Sequence, residues 1–239
     1  MSRFDVVAFD ADDTLWQNER IYAGAQAELR ALLARYGAGA IDQRLHETEM
    51  RNLPHFGYGI KGFALSMIET AVELTEGRIA GTDVRAIIDL ARRMLAADIE
   101  LLDHVDETLE RLAGRYALML ITKGDLRDQE AKIARSGLAP RFGRIEIVSD
   151  KSRESYEALL RRHGIAPDRF VMVGNSLRSD ILPVLAMGAA AVYVPHELTW
   201  SHESAASPPA GTPGYHELEH IGLLPALLER LEQRGTPGR

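Results

Sequence analysis

The stretch Val6-Val7-Ala8-Phe9-Asp10-Ala11-Asp12-Asp13-Thr14-Leu15 constrains this chain more than any other, because an apolar run of strand length ends abruptly in three carboxylates and a hydroxyl. A short run rich in β-branched and aromatic residues reads as a buried strand, and acids delivered at its C-terminal end suggest the site of an α/β protein. On an extended backbone Asp10 and Asp12 point to the same side and converge. Acids that close repel unless a cation or a shared proton holds them, and hard oxygen ligands favour Mg²⁺. A calcium loop fits poorly, since Leu15 stands where that loop needs Gly and no helix precedes the acids.

The rest of the composition narrows the partners. The chain has no Cys, which excludes a disulfide framework, thiolate zinc and a Cys nucleophile. A net charge of -7 without a Lys/Arg-rich run argues against nucleic acid as the main partner, while a small anion held by a few local cations fits. Asp5 and Asp10 interrupt the apolarity near the N-terminus and no segment reaches the length of a membrane span, so the expectation is a cytoplasmic protein with no membrane partner. Oligomeric state is not legible at this level. The 239 residues suffice for one large core or for a core plus a smaller accessory domain.

Read in order, the chain changes character after the acids. Helical spacing runs from about Asn18 to Arg35 and is stopped by Gly37 and Gly39; a second stretch, Gln43 to Leu53, should end at Pro54. A glycine-punctuated loop, His55 to Gly62, carries aromatics and two potential cations. Helical patterns resume from Phe63 to Leu74 and from Val84 to Leu102. An all-helical block with no convincing strand before about Arg115 reads as a cap at 16–102, inserted into a discontinuous core at 1–15 and 103–239. From Val105 onward helix and strand alternate. The expected strands are Tyr116 to Ile121, Ile145 to Val148, Phe170 to Val173 and Ala190 to Val194, ending respectively in Thr122-Lys123-Gly124-Asp125, Ser149-Asp150-Lys151, Gly174-Asn175-Ser176 and Pro195-His196-Glu197. This alternation predicts an α/β, doubly wound parallel sheet whose polar strand ends meet in space. Ser201 to Gly214 is Ser-, Ala-, Pro- and Gly-rich and reads as irregular. A closing helix through Ile221 and Leu231 precedes a short loose tail.

Asp10-x-Asp12-x-Thr14 after the first strand, Thr122 after the second, Lys151 after the third and Gly174-Asn175-x4-Asp180 after the fourth resemble the four motifs of the haloacid dehalogenase-like (HAD) superfamily. A helical cap inserted after the first motif is also familiar there, on a Rossmann-like core. The likeness is greatest to the phosphatase branch, since dehalogenase members typically lack the second acid, Asp12. The resemblance implies a Mg²⁺-dependent hydrolase of a small phosphorylated metabolite. Asp10 would be the nucleophile that forms an aspartyl-phosphate, and Asp12 the general acid and base. Thr122 and Lys151 would hold the phosphoryl oxygens. Asp10, Asp12 through its backbone carbonyl, Asn175 and Asp180 would form the metal site, with Asp180 either completing its outer shell or orienting Lys151. Lys123 and Gly124 would add substrate contacts, and the cap offers Arg51, His55, Tyr58 and Lys61, with His55 and Lys61 foremost.

One position departs from the pattern: Asn175 stands where many members have Asp, so it can offer a carbonyl oxygen but no charge. Two alternatives of other kinds are a dehalogenase-type hydrolase and a catalytically weak protein that binds a phosphorylated ligand. A receiver-like signalling domain is disfavoured, because its phosphoacceptor follows the third strand, where this chain has Ser149-Asp150-Lys151.

Overall fold

The computed structural model describes residues 3–235. The tail expected at the C-terminus, 236–239, lies outside them. In chain order the elements are β1 (Val6–Phe9), α1 (Glu19–Ala34), α2 (Ile41–Phe56), α3 (Ile60–Leu74), α4 (Gly81–Ala96), α5 (Val105–Leu112), β2 (Ala117–Lys123), α6 (Leu126–Ser136), β3 (Arg144–Val148), α7 (Arg153–His163), β4 (Phe170–Gly174), α8 (Leu182–Ala186), β5 (Ala190–Tyr193), β6 (Tyr215–Glu217) and α9 (Leu224–Gly235).

The strands form one sheet in the order β3-β2-β1-β4-β5-β6, with every pairing parallel. This is the α/β, doubly wound sheet that the alternation predicts. The chain starts in the middle, winds outward through β2 and β3, and returns to place β4 on the other side of β1. The strand order reverses between β1 and β4, and a crevice opens at the carboxyl ends of strands at such a point. The alternation of β1 shows why it can be central: Val7 and Phe9 join one apolar layer, with Leu109, Leu120 and Leu228, while Val6 and Ala8 join the other, with Met119, Tyr156 and Met172. Successive side chains point to opposite faces, and both faces are covered, so only a continuous apolar run serves there.

Two compact units divide the chain. One comprises 1–17, 99–123 and 132–239; the other comprises 18–98 together with 124–131. The second unit packs α1 to α4 around a separate apolar core that includes Leu29, Leu33, Leu45, Phe63, Met67 and Ile87. Within it Tyr22 meets Phe63 edge-on at 5.0 Å. Gly62 is required where α3 passes the end of α2, because a Cβ there would lie 2.8 Å from the Gly57 carbonyl oxygen.

Four local expectations change. α2 does not stop at Pro54 but continues to Phe56, closed by the Gly57 N–H on the Leu53 carbonyl at 3.0 Å. A proline this close to a helix end forfeits only one backbone bond. α4 ends at Ala96 rather than Leu102, and the residues after it turn extended. The Gln17 N–H then donates to the Glu100 carbonyl at 2.9 Å and the Leu102 N–H to the Leu15 carbonyl at 3.0 Å, which ties the two ends of the helical insertion together on the sheet unit and moves the division to 17/18 and 98/99. The segment before α8 is a five-residue π-helical turn, Leu177–Ile181, instead of plain α-helix. Finally, β6 adds a sixth strand beside β5, with Tyr215 opposite Ala191. At three residues, straight after a Pro/Gly-rich stretch, β6 has too little pattern to be seen in the sequence. Among the described residues no helix is long and apolar enough to cross a membrane.

Candidate active site

β1 ends at Phe9, and the Asp10 N–H still donates to the Val173 carbonyl at 2.9 Å, which holds Asp10 beside the end of β4. The backbone then leaves the extended state. Asp13 adopts a left-handed φ of 58°, and the Thr14 and Leu15 N–H groups turn back to the Ala11 carbonyl at 3.2 and 2.8 Å. The turn brings Thr14 back over the strand end, where its hydroxyl lies 3.2 Å from Asp10 Oδ2 and 3.2 Å from Asn175 Oδ1. The Asn175 N–H donates to the same hydroxyl at 3.1 Å. A hydroxyl carries one proton, so it satisfies only one of those two side-chain oxygens at a time.

Lys151, at the N-terminal approach to α7, is 4% exposed and donates from Nζ to Asp10 Oδ1 and, at 2.7 Å, to Asp180 Oδ1. Asp180 reaches it from the π-turn, whose i→i+5 geometry is often found at functional positions. Its other oxygen, Oδ2, accepts from the Ser176 N–H at 3.0 Å. Gly174 makes this fold-back possible: a Cβ there would sit 2.2 Å from Asp180 Oδ2. Asp10, Thr14, Lys151, Asn175 and Asp180 are thus joined by hydrogen bonds contributed by three strand ends, β1, β3 and β4.

Asp12 has different partners. Both of its oxygens accept from Lys132 Nζ at 2.8 Å, and Oδ1 also accepts from Trp16 Nε1 at 2.8 Å. Asp10 and Asp12 follow β1 two residues apart, near enough for Asp12 to act on the Asp10 carboxyl electrostatically. The Asp12 side chain is held by Lys132 of α6 and not by the cation that holds Asp10.

Electrostatics favour a cation among these groups. Burial pushes the Asp10 carboxyl up to about 7 against the opposing charge of Lys151, with Asp180 and Asp12 adding to the rise. Burial works to lower the Lys151 ammonium, but Asp10 and Asp180 outweigh it and hold the group charged. With Asp10 ionised, the two buried carboxylates exceed the one ammonium by a charge that water cannot screen, and a further cation there would offset it. No group of three or more His, Cys, Asp or Glu side chains among the described residues is placed to hold a metal ion. The donors here are instead two carboxylates and one amide oxygen, all hard, and Mg²⁺ commonly binds through one or two carboxylates and completes its shell with water. The residues therefore fit such an ion.

Thr122 is on β2, 1% exposed, opposite Ile147 of β3. Lys123 is occupied: its Nζ donates to Glu203 at 2.5 Å and to the Ser179 hydroxyl at 2.8 Å. Gly124 has a φ of 139° and, like His55 and Lys61, clusters with the helical unit. His55 meets Phe56 edge-on, their centroids 6.4 Å apart, and Lys61 pairs with Asp125 at 2.8 Å. Sequence reasoning named Lys151 for Asp180 but missed the side-chain partners of Asp12 and the hold of Ser176 and Glu203 on the turn that carries Asp180. Trp16, four residues after Asp12, could have been suspected. Lys132 and Glu203 are distant in sequence and carry no local signal.

A family model described as haloacid dehalogenase-like hydrolase matches residues 4–188. The crystal structure of a haloacid dehalogenase-like family hydrolase from Xanthomonas campestris is 42% identical, covers 97% of this chain and 93% of its own, and superposes with a TM-score of 0.87. A 2-haloacid dehalogenase from Pseudomonas syringae pv. Tomato is 23% identical over 95% of this chain and 99% of its own, with a TM-score of 0.65, and shares the fold. Among curated proteins, the glyceraldehyde 3-phosphate phosphatase of Methanothermobacter thermautotrophicus is 35% identical over 35% of this chain, an alignment that spans only 39% of that relative's length.

Proposed function

This chain belongs to the haloacid dehalogenase-like hydrolases, and on that premise we propose that it is a phosphatase that hydrolyses a small phosphorylated metabolite through an aspartyl-phosphate. The observation that carries the reading is the pair of differently held acids after β1: Asp10 buried against Lys151, and Asp12 close by but bonded to Lys132 and Trp16. One can act as nucleophile while the other moves a proton, a division that a dehalogenase does not need. The phosphatase named among the relatives supports the same side.

In this mechanism Asp10 attacks phosphorus in line, which divides hydrolysis into formation and breakdown of an acyl phosphate. Asp12, once turned from Lys132 and protonated from solvent, gives that proton to the leaving oxygen and regains one from the water that attacks the acyl phosphate next. Lys151 and Thr122 hold the equatorial oxygens of the phosphoryl group. Asp10, Asn175, Asp180 and the backbone carbonyl of Asp12 would hold Mg²⁺, whose charge offsets the repulsion between carboxylate and phosphoryl group. Release of inorganic phosphate from a panel of phosphorylated metabolites, with halide release from 2-haloacids measured alongside, tests the reading. Halide without phosphate assigns the dehalogenase reaction, and neither product assigns a ligand-binding protein.

Two smaller predictions belong here. Asn175→Asp adds a charge to the donor set, so the Mg²⁺ concentration for half-maximal activity should fall by about 3- to 10-fold while kcat stays level or drops. An unchanged concentration would show that Asn175 is not a direct ligand. His55 and Lys61 bracket the glycine-punctuated loop of the helical unit, which we assign to substrate discrimination. Changing either to Ala should alter relative kcat/KM values among substrates by about 10-fold, and a uniform change across the panel would refute that assignment.

A further inference from the structure

Beyond the motifs, the π-turn that carries Asp180 is gripped from outside by a residue of the segment that reads as irregular. Glu203 lies in a short 3₁₀ turn, Ser201–Glu203. Its Oε2 accepts from the hydroxyls of Ser176 and Ser179, both at 2.6 Å, and its Oε1 accepts from Lys123 Nζ at 2.5 Å. The Ser176 hydroxyl in turn accepts from the Ser179 N–H at 2.9 Å, which caps the start of the π-turn, and the Ser176 N–H donates to Asp180. One carboxylate therefore connects the end of β2, both serines of the turn and, through them, the side chain that faces Lys151.

We propose that Glu203 is a positioning residue: it braces the segment Asn175–Asp180 so that Asn175 and Asp180 present their oxygens in register with Asp10 and Lys151. The inference rests on the phosphatase reading for its catalytic consequence, though not for the brace itself.

Three physical facts support it. The carboxylate is largely buried, with 13% of its side chain exposed, and so is its ammonium partner, at 14%. Such a pair is costly to leave half-made. Burial pushes the Glu203 carboxyl up, but Lys123 and the two serine hydroxyls outweigh it and bring the group down to about 2, so the acceptor stays ionised under all ordinary conditions. A π-turn also has poorer intrinsic stability than an α-turn, and it persists where surrounding contacts over-determine it. By the same bonds Lys123, at the strand end next to Thr122, is diverted from the phosphoryl group to a structural partner.

The test compares the unaltered protein with Glu203→Ala and Glu203→Gln, the latter keeping an oxygen acceptor for both serines. Two readouts are taken: amide hydrogen exchange across residues 170–182, and kcat and KM for 4-nitrophenyl phosphate with Mg²⁺. Glu203→Ala should exchange about 10-fold faster in that segment while distant segments keep their rates. Its kcat should fall by about 10- to 100-fold with KM within about 3-fold, as expected for misplaced catalytic groups. Glu203→Gln should recover at least half of that loss on a logarithmic scale. Unchanged exchange overturns the brace whatever the turnover. Faster exchange with unchanged kcat overturns the positioning role, and so does a Gln variant no better than Ala. If Glu203→Ala does not fold, the Gln variant carries both readouts by itself. Absence of turnover in the unaltered protein would remove the phosphatase reading, and exchange alone would then decide whether Glu203 holds the turn.

Discussion

Asp10→Asn should lower phosphate release by at least about 10³-fold while the protein stays folded. The amide matches the carboxylate in shape; its one oxygen still accepts from Lys151 while the Thr14 hydroxyl turns its proton to Asn175 Oδ1, but it cannot attack phosphorus. The stability of the metal-free protein should also respond with a definite sign. The Asp10 carboxyl is raised from 3.8 to about 7 in the folded chain, chiefly by burial against the pull of Lys151. A raised carboxyl contributes stability that is fully present below its unfolded value and is lost as pH rises through the folded value. The amide does not titrate. The melting temperature of the variant minus that of the unaltered protein, both in EDTA, should therefore rise between pH 5 and pH 8. Residual turnover above one part in a hundred would remove Asp10 from its role; a difference that falls with pH would show that Lys151 overcompensates the burial.

Lys151→Met should be the most damaging substitution for the fold as well as for the chemistry. It deletes an ammonium that bonds both Asp10 and Asp180, each nearly inaccessible to water, and leaves two acids side by side. Breaking a buried pair from one side costs about 3–5 kcal/mol. For a chain of this size that corresponds to a melting point about 6–20 °C lower. The loss should shrink on acidification, because protonation of Asp10 or Asp180 relieves the repulsion, and in EDTA it should be largest above neutrality. Turnover should fall by about 10³-fold even where the variant is folded, since the phosphoryl oxygens lose their cation. Calorimetry at pH 5 and pH 8 checks the first claim and phosphate release at saturating Mg²⁺ the second. A melting point that does not move would mean that Asp10 and Asp180 find another partner.

Several features of this site were legible in residues alone. Val6 to Phe9 has to be a strand covered on both faces, because four apolar residues in a row satisfy two buried surfaces and leave no side for water. Strand-helix alternation after Val105 requires parallel pairing, and parallel pairing collects the strand ends that carry Asp10, Lys151 and Asn175 on one edge. Local order, periodicity and residue chemistry are properties of neighbouring residues, and so they can be read along the chain. β6 and the ends of α2 and α4 were less legible, because each depends on a partner elsewhere: β6 on the exposed edge of β5, and the end of α4 on the backbone of Leu15 and Gln17.

What the chain by itself determined is the presence of an acid-tipped central strand, a doubly wound sheet and a set of oxygen donors suited to a hard cation. What only the tertiary structure decided is how those groups are partnered. Asp12 belongs to Lys132 and Trp16, Lys123 to Glu203, and Ser176 and Ser179 to Glu203, while Asp180 takes the second of its two expected roles, beside Lys151 over a glycine that leaves it room. The reason is the range of the forces involved. Hydrophobic periodicity and backbone preference act over a few residues and leave a mark on local sequence. Pairing between buried charges is settled by which side chains the packing brings within about 3 Å, whatever their separation along the chain, and no local pattern records it.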